Sequence, residues 1–264
     1  MESTIPAKTI PPLPYTARLV CSPLLSERTK HLEFEVEGVE RFDFKPGQFV
    51  SVKEPRPDGK VTIRAYSIAS APAGTARFSL CVNRVDDGFM SNYLCDLQEN
   101  SQVRLQGPYG ALTLRPEPAD VMMIATGTGV APFRAMVEWL FGEETPGGAE
   151  AAGASRHGGK EYWLVYGTRY EEDVFYKQEF EAIAARHPNF HYLVTLSRPA
   201  EGWTGWSGHV QEHVRRLAGH YEAAGRKELT AYICGLGEMV TETRDLLRNE
   251  MGWERQRVII ERYS

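Results

Sequence analysis

The stretch ATGTGVAPFR, Ala125–Arg134, decides how the second half of this chain folds. It follows an unbroken apolar run, DVMMIAT (120–126), and leads into GVAPFRAMVEWLF (129–141), whose apolar residues recur at helical spacing. Gly127 and Gly129 let backbone N–H groups come close to a ligand, and a helix N-terminus favours an anion there. Pro132 suits a first helical turn, where its missing N–H is not needed. In open parallel sheets this is the position, at the carboxyl end of a strand, where dinucleotides bind. The GxGxxG spacing is not kept, because Pro132 stands where the third glycine would be. Taken alone, the turn also fits a purely structural role.

Downstream, the same rhythm of strand and helix repeats. EYWLVYGT, FHYLVTLS and LTAYICG are short apolar strands, and FYKQEFEAIAARH, VQEHVRRLAGHYEAAG and EMVTETRDLLRNEM are amphipathic helices between and after them. This alternation predicts a parallel sheet covered on both faces. Two further strand ends, YGTR (Tyr166–Arg169) and TLSRP (Thr195–Pro199), carry hydroxyls and arginines to the same rim as the glycine turn. Each arginine by itself fits a solvated surface charge. Together, Arg169, Ser197 and Arg198 beside Thr126, Gly127, Thr128 and Gly129 read as a phosphate-binding rim, since a guanidinium fork matches phosphate oxygens.

Upstream the rhythm differs. YTARLVCS, HLEFEVE, QFVSVKE, VTIRAYSIAS, RFSLCVNRV and QVRLQG are rich in β-branched and aromatic residues, with KPGQ, RPDGK and APAGTA as turns. Six such strands predict an antiparallel barrel or sandwich, interrupted by one helix at FMSNYLCDL. The chain thus divides into an extended lead-in at 1–14, a β domain at 15–115 and an α/β domain at 116–264. RPEPAD (115–120) is the hinge, and TPGGAEAAGASRHGG, Thr145–Gly159, is a flexible surface loop.

The net charge of -5 argues against a nucleic-acid binder, which would carry a basic excess. No apolar run approaches the ~20 residues of a membrane span, so no membrane insertion is expected. The start, MESTIPAKTIPPLPY, lacks a basic region followed by an apolar core and predicts no secretory signal. Cys21, Cys81, Cys95 and Cys234 follow neither zinc nor iron–sulfur spacing, which predicts free thiols in a cytoplasmic protein. HVQEH (209–213) matches an HxxEH zinc pattern but falls inside the dinucleotide-domain rhythm. It is read as a helix start with solvent-facing imidazoles, and no metal is expected.

RAYSIAS, Arg64–Ser70, puts a cation, an aromatic ring and hydroxyls on a strand. Alternation places Arg64, Tyr66 and Ile68 on one face and Ala65, Ser67 and Ala69 on the other. A plain edge strand fits, with Tyr66 half-buried and Arg64 in water. A flat ligand with a phosphate tail fits as well: Tyr66 stacks on its ring, Arg64 neutralises the phosphate and Ser67 bonds its edge. GFMSNYL (88–94) is a turn entering a helix, with Gly88 and Ser91 placed for free N–H groups to meet a second phosphate.

RAYSIAS, GFMSNYL, GPYG, GTGVAPF, YGTR, TLSRP and CGLGEM occur here in the order seen in ferredoxin–NADP reductase-like flavoproteins, which the chain resembles from about Tyr15 onward. The resemblance implies an antiparallel Greek-key FAD-binding β-barrel followed by a parallel-sheet α/β domain for a nicotinamide nucleotide. It implies that Arg64 binds the FAD pyrophosphate, that Tyr66 stacks on the flavin with Ala65 beside it, and that Ser67 approaches the reactive nitrogen. Gly88, Phe89, Met90 and Ser91 would line the pyrophosphate site, with Val82 and Arg84 near the adenosine side. Thr126, Gly127, Thr128, Gly129 and Pro132 would cradle the dinucleotide, and Cys234 would sit by the nicotinamide ring. The chain ends VIIERYS, similar to the Glu-x-Tyr ending of plant-type members with Ser264 added. Tyr263 would then cover the flavin face, and Glu261 would join the polar group of Ser67 and Cys234. A final core strand with a frayed polar end fits the same residues.

The implied activity is electron transfer between NADP(H) and a separate one-electron carrier, ferredoxin or flavodoxin, by a monomeric FAD enzyme. The match departs from plant-type members where a basic residue and a tyrosine would hold the 2′-phosphate: GWTGWSGHVQEH offers Ser207 and His209. Ser197 and Arg198 remain the candidates. WTGWSGHV also looks like the NADH-using reductases of bacterial oxygenases, which is the alternative activity; a non-catalytic flavin- or nucleotide-binding regulator would need neither Cys234 nor the Glu261/Tyr263 ending.

Overall fold

The computed structural model describes residues 14–116, 119–142, 158–226 and 228–263. Most of the expected lead-in, part of the hinge, most of the 145–159 loop and Ser264 lie outside them. The first half holds β1 (Tyr15–Cys21), β2 (Leu24–Ser26), β3 (Thr29–Val36), β4 (Phe49–Pro55), β5 (Val61–Ser67) and β6 (Arg77–Asn83), then α1 (Phe89–Asp96) and β7 (Gln102–Tyr109). They form a seven-stranded sheet in the order β2-β3-β1-β7-β4-β5, with β6 on β3, every pairing antiparallel. The chain just after β5 returns to β6 through a bridge between Ile68 and Leu80, and the Ala69 N–H donates to the Ser79 carbonyl at 2.7 Å. That contact curls the sheet into a barrel around a core that includes Leu19, Phe34, Val50, Ile68, Phe78 and Leu94. Alternation explains β3, where Leu32, Phe34 and Val36 point inward and His31, Glu33 and Glu35 do not.

The second half holds β8 (Val121–Thr126), α2 (Ala131–Phe141), β9 (Tyr162–Thr168), α3 (Lys177–Arg186), β10 (Phe190–Leu196) and β11 (Trp206–Ser207). It continues with α4 (Val210–Ala223), β12 (Thr230–Leu236), α5 (Gly237–Asp245) and β13 (Val258–Tyr263). The sheet runs β11-β10-β9-β8-β12-β13, all parallel. One buried cluster lies under α2 and α3 and another under α4 and α5, so both faces are covered. The two-residue β11 and three-residue β2 escape sequence reading because neither is long enough to show a period. Strand order reverses at β8, whose neighbours β9 and β12 lead the chain in opposite directions across the sheet. That switch point opens a crevice at the strands' carboxyl ends.

Candidate active site

The turn after β8 is a tight helical turn, Gly127–Val130, running directly into α2, with Pro132 in its first turn. Gly127 has φ +53, and a Cβ there would meet nothing within 4 Å, so the turn faces open space. Gly129 is the opposite case: a Cβ would lie 2.3 Å from the Cys234 carbonyl oxygen, so only glycine lets the turn press against the end of β12. The fully buried Tyr166 anchors the turn from below, its hydroxyl donating to the Gly127 carbonyl at 3.0 Å.

A cavity of about 690 Å³ opens above this turn, lined by Thr126, Gly127, Thr128, Arg169 and Ser197 among others. The Thr126 hydroxyl oxygen is buried without a hydrogen-bond partner. An orphaned hydroxyl, a glycine open to space and helix N–H groups without a side-chain cap fit a dinucleotide in this cradle. Arg198 is turned towards the Tyr170 hydroxyl at 3.5 Å. Gln211, Glu238 and Glu242 also line the cavity, with Gln211 donating to Glu242 at 2.6 Å, and sequence reading passed over them. The available signal was position alone: Gln211 falls in the first turn of α4, at the strand-end rim.

The other wall of the site comes from the barrel. Ser67 ends β5 and is 5% exposed; its hydroxyl donates to Glu261 Oε1 at 2.9 Å and meets the Tyr263 hydroxyl at 2.8 Å. Cys234 on β12 is fully buried and pairs in register with Glu261 on β13. Burial pushes its thiol well above the ordinary range, Glu261 adds to the rise, and a hydrogen bond with Tyr263 opposes it. Burial also raises Glu261 above the usual carboxylate value, with the Ser67 bond opposing. Tyr263 is raised furthest by burial and next by Cys234, so its phenol stays neutral. Four residues named from sequence, drawn from three strands of two sheets, thus share one polar cluster.

On β5, Arg64 is exposed and donates to the Ile63 carbonyl at 2.9 Å; among the described residues it forms no ion pair. Tyr66 packs against the barrel core, and Ala65 is exposed. Among the described residues the strand pairs only with β4, so this flank offers a ring, a cation and free backbone to a flat anionic group such as FAD.

One expectation at α1 needs correction. Gly88 does not keep a free N–H, because that group donates to the Val85 carbonyl at 3.0 Å. The Ser91 hydroxyl, a different group from the N–H expected to be free, closes the same turn by accepting from the Val85 N–H and donating to the Gly88 carbonyl, both at 3.1 Å. What α1 leaves for an anion is its first turn, beginning at Phe89, which has no side-chain cap. Val82 is 1% exposed and Met90 is 3% exposed, so both belong to the barrel core, and Arg84 is tied to Asn92 and Asp96 on α1 at 2.8 and 2.6 Å.

The imidazoles of HVQEH do not both face solvent. His213 is 4% exposed, its Nε2 lying 2.9 Å from the Thr195 hydroxyl and 3.0 Å from the Ser207 carbonyl. Burial lowers its pKa, and its ring packs 4.5 Å from that of Trp206. Among the described residues no group of three or more His, Cys, Asp or Glu is placed to hold a metal ion, and no helix is long and apolar enough to cross a membrane.

Comparison with known proteins agrees with this geometry. Residues 16–114 match the oxidoreductase FAD-binding domain and residues 123–245 the oxidoreductase NAD-binding domain. The chain is 42% identical over 256 residues to a protein named ferredoxin–NADP reductase B of Sorangium cellulosum, covering 95% of this chain and 98% of the relative. It is 32% identical over 181 residues to the glycine betaine monooxygenase reductase subunit of Chromohalobacter salexigens, covering 67% of this chain and 45% of that protein. The fold matches the cytochrome b5 reductase domain of Ulva prolifera nitrate reductase with a TM-score of 0.77 at 22% identity, over 94% of this chain and 97% of that one. With both domains matched in order and a relative aligned from end to end, the chain belongs to the ferredoxin–NADP reductase-like family of FAD-binding oxidoreductases.

Proposed function

We propose that the protein is an FAD enzyme moving electrons between NADP(H) and a separate one-electron carrier, ferredoxin or flavodoxin, as a cytoplasmic monomer. The observation that carries this reading is the Ser67–Glu261–Tyr263–Cys234 cluster beside the dinucleotide cavity. Simple binding of a nucleotide has no use for a buried thiol joined across two domains to a half-buried carboxyl and phenol.

FAD, when bound, would supply the redox chemistry, hydride acceptance at N5 and release of single electrons. The chain's residues hold, orient and shield. Arg64 and Tyr66 hold FAD, with Ala65 beside the ring and the first turn of α1 from Phe89 to Ser91 as its anion site. Thr126, Gly127, Thr128, Gly129 and Pro132 cradle the dinucleotide. Arg169, Ser197 and Arg198 receive its phosphates on the rim. With Glu261 ionised, protons run in one direction: the Tyr263 hydroxyl donates to Ser67 and Ser67 donates to Glu261 Oε1. Tyr263, half-buried with its hydroxyl enclosed, keeps water from Cys234 until the nicotinamide takes its place.

The deciding experiment is stopped-flow reduction of the yellow protein by NADPH and by NADH. Faster reduction by NADPH, followed by reduction of an added ferredoxin, supports the proposal. A colourless, flavin-free protein overturns it. A second reading, an NADH-dependent reductase component of an oxygenase, is favoured by Glu238, Glu242 and His209, which line the cavity. Carboxylates repel a 2′-phosphate and suit a ribose 2′-hydroxyl. Faster reduction by NADH selects that reading.

A further inference from the structure

Arg134 lies one turn into α2, just beyond the dinucleotide cradle, yet it reaches across to the barrel. Its guanidinium donates to the Ala69 carbonyl at 2.6 Å. From the same helix, Glu138 accepts the Ala71 N–H at 2.8 Å. Arg134 and Glu138 are themselves paired at 2.5 Å, and Glu179 on α3 takes the rest of the fork at 2.9 and 3.0 Å. The Tyr176 ring stacks 4.6 Å from the guanidinium carbon, and its hydroxyl reaches across to His31 Nδ1 on β3 at 3.0 Å. The Arg134 side chain is only 13% exposed.

Ala69 and Ala71 lie two and four residues beyond Ser67, the end of β5. A carbonyl and an N–H two residues apart are therefore held by one helix, and that helix begins at the dinucleotide turn. We propose that Arg134 and Glu138 are a positioning pair that sets the separation between the Ser67 hydroxyl and the nucleotide cradle. The inference rests on the proposed hydride-transfer function for its catalytic consequence, although the clamp itself does not. An arginine suits this post because three N–H directions are used at once, on Ala69, Glu138 and Glu179. The carboxylates of Glu138 and Glu179 keep the buried guanidinium from being left unpaired.

Arg134→Met and Arg134→Lys, compared with the parent holoenzyme, test the inference through two independent readouts. The first is amide hydrogen exchange over residues 68–72, measured without nucleotide. Exchange is expected to quicken about tenfold or more in Arg134→Met as local opening becomes easier, and less in Arg134→Lys. The second is steady-state turnover with NADPH and a one-electron acceptor. The expected split is kcat lowered about tenfold or more by the lost alignment, with KM held within about twofold. Arg134→Lys should recover part of kcat, since one donor to Ala69 survives.

Unchanged exchange at 68–72 overturns the clamp whatever the enzyme's substrate. Faster exchange with kcat per folded molecule unchanged overturns the positioning role and leaves Arg134 structural. A parent enzyme that turns over NADH but not NADPH moves the kinetic arm to NADH, where the same split is required. A parent inert to both nucleotides refutes the proposed function and the catalytic half of this inference, while exchange still judges the clamp.

Discussion

The Ser67 hydroxyl and the Tyr263 phenol lie 2.8 Å apart although 196 residues separate them. One ends a strand of the barrel and the other ends the last strand of the parallel sheet. Their contact joins the two domains where the proposed flavin seat meets the dinucleotide cavity.

Ser67→Ala removes two contacts at once, leaving the Glu261 carboxyl and the Tyr263 hydroxyl buried without that partner. Thermal or denaturant unfolding should show a loss of about 1–3 kcal/mol. Since the serine bond holds the Glu261 pKa down, its loss should also move that pKa further up. An unchanged titration of Glu261, followed by NMR, contradicts the hydrogen bond.

Glu261 gives a pH signature of definite sign. Its folded pKa is raised, first by burial, so the folded protein holds the proton more tightly than the unfolded chain does. Its contribution is fully present below the unfolded pKa and is lost as pH rises through the folded value. Glu261→Gln lacks this slope, so its stability relative to the parent should improve as pH rises from the ordinary carboxylate range through the raised folded value. Glu138 is also raised, but it is common to both proteins and cancels in the difference. A flat difference curve rejects the assignment.

The two glycines of the dinucleotide turn should respond differently to alanine. At Gly127 the space is open and the backbone is left-handed, so Gly127→Ala should cost about 1 kcal/mol. At Gly129 the new Cβ collides with the Cys234 carbonyl, and Gly129→Ala should cost about 2–3 kcal/mol. Equal losses in urea unfolding would show that the turn does not press on β12 as described.

Cys234 should be inert to alkylation while Tyr263 is in place, because the thiol is buried and its pKa is high. Tyr263→Ser should speed its modification at least ~tenfold, mapped by mass spectrometry to separate it from the half-buried Cys21. Equal reactivity in parent and variant argues against the shielding role.

Arg198→Ala should weaken NADPH use more than NADH use, because only NADPH carries the additional phosphate. Arg169, which lines the cavity itself, should affect both nucleotides. Equal losses with both nucleotides for Arg198→Ala would remove it from the 2′-phosphate site.

Much of this was legible in the residues because it is local. Period-two strands before Pro116, the switch to strand and helix after it, and the glycine turn before Pro132 each follow from spacing within one element. The terminal Glu261 and Tyr263 were legible only as part of an ordered set of motifs. At the N-terminus of α1 the spacing does not show that the Gly88 N–H is spent on the Val85 carbonyl, a bond that closes the turn before the helix. His213 was misread for the same kind of reason: helical spacing shows that two imidazoles share a side, not which side is covered.

The sequence by itself determined the elements, their two rhythms and the chemistry carried at the strand ends. Only the tertiary structure decided which strand ends meet: β5 with β13 through Ser67 and Tyr263, and α2 with the barrel through Arg134 and Ala69. The physical reason is range. Periodicity and turn chemistry act over a few residues, whereas these contacts depend on how two separately packed cores are set against each other.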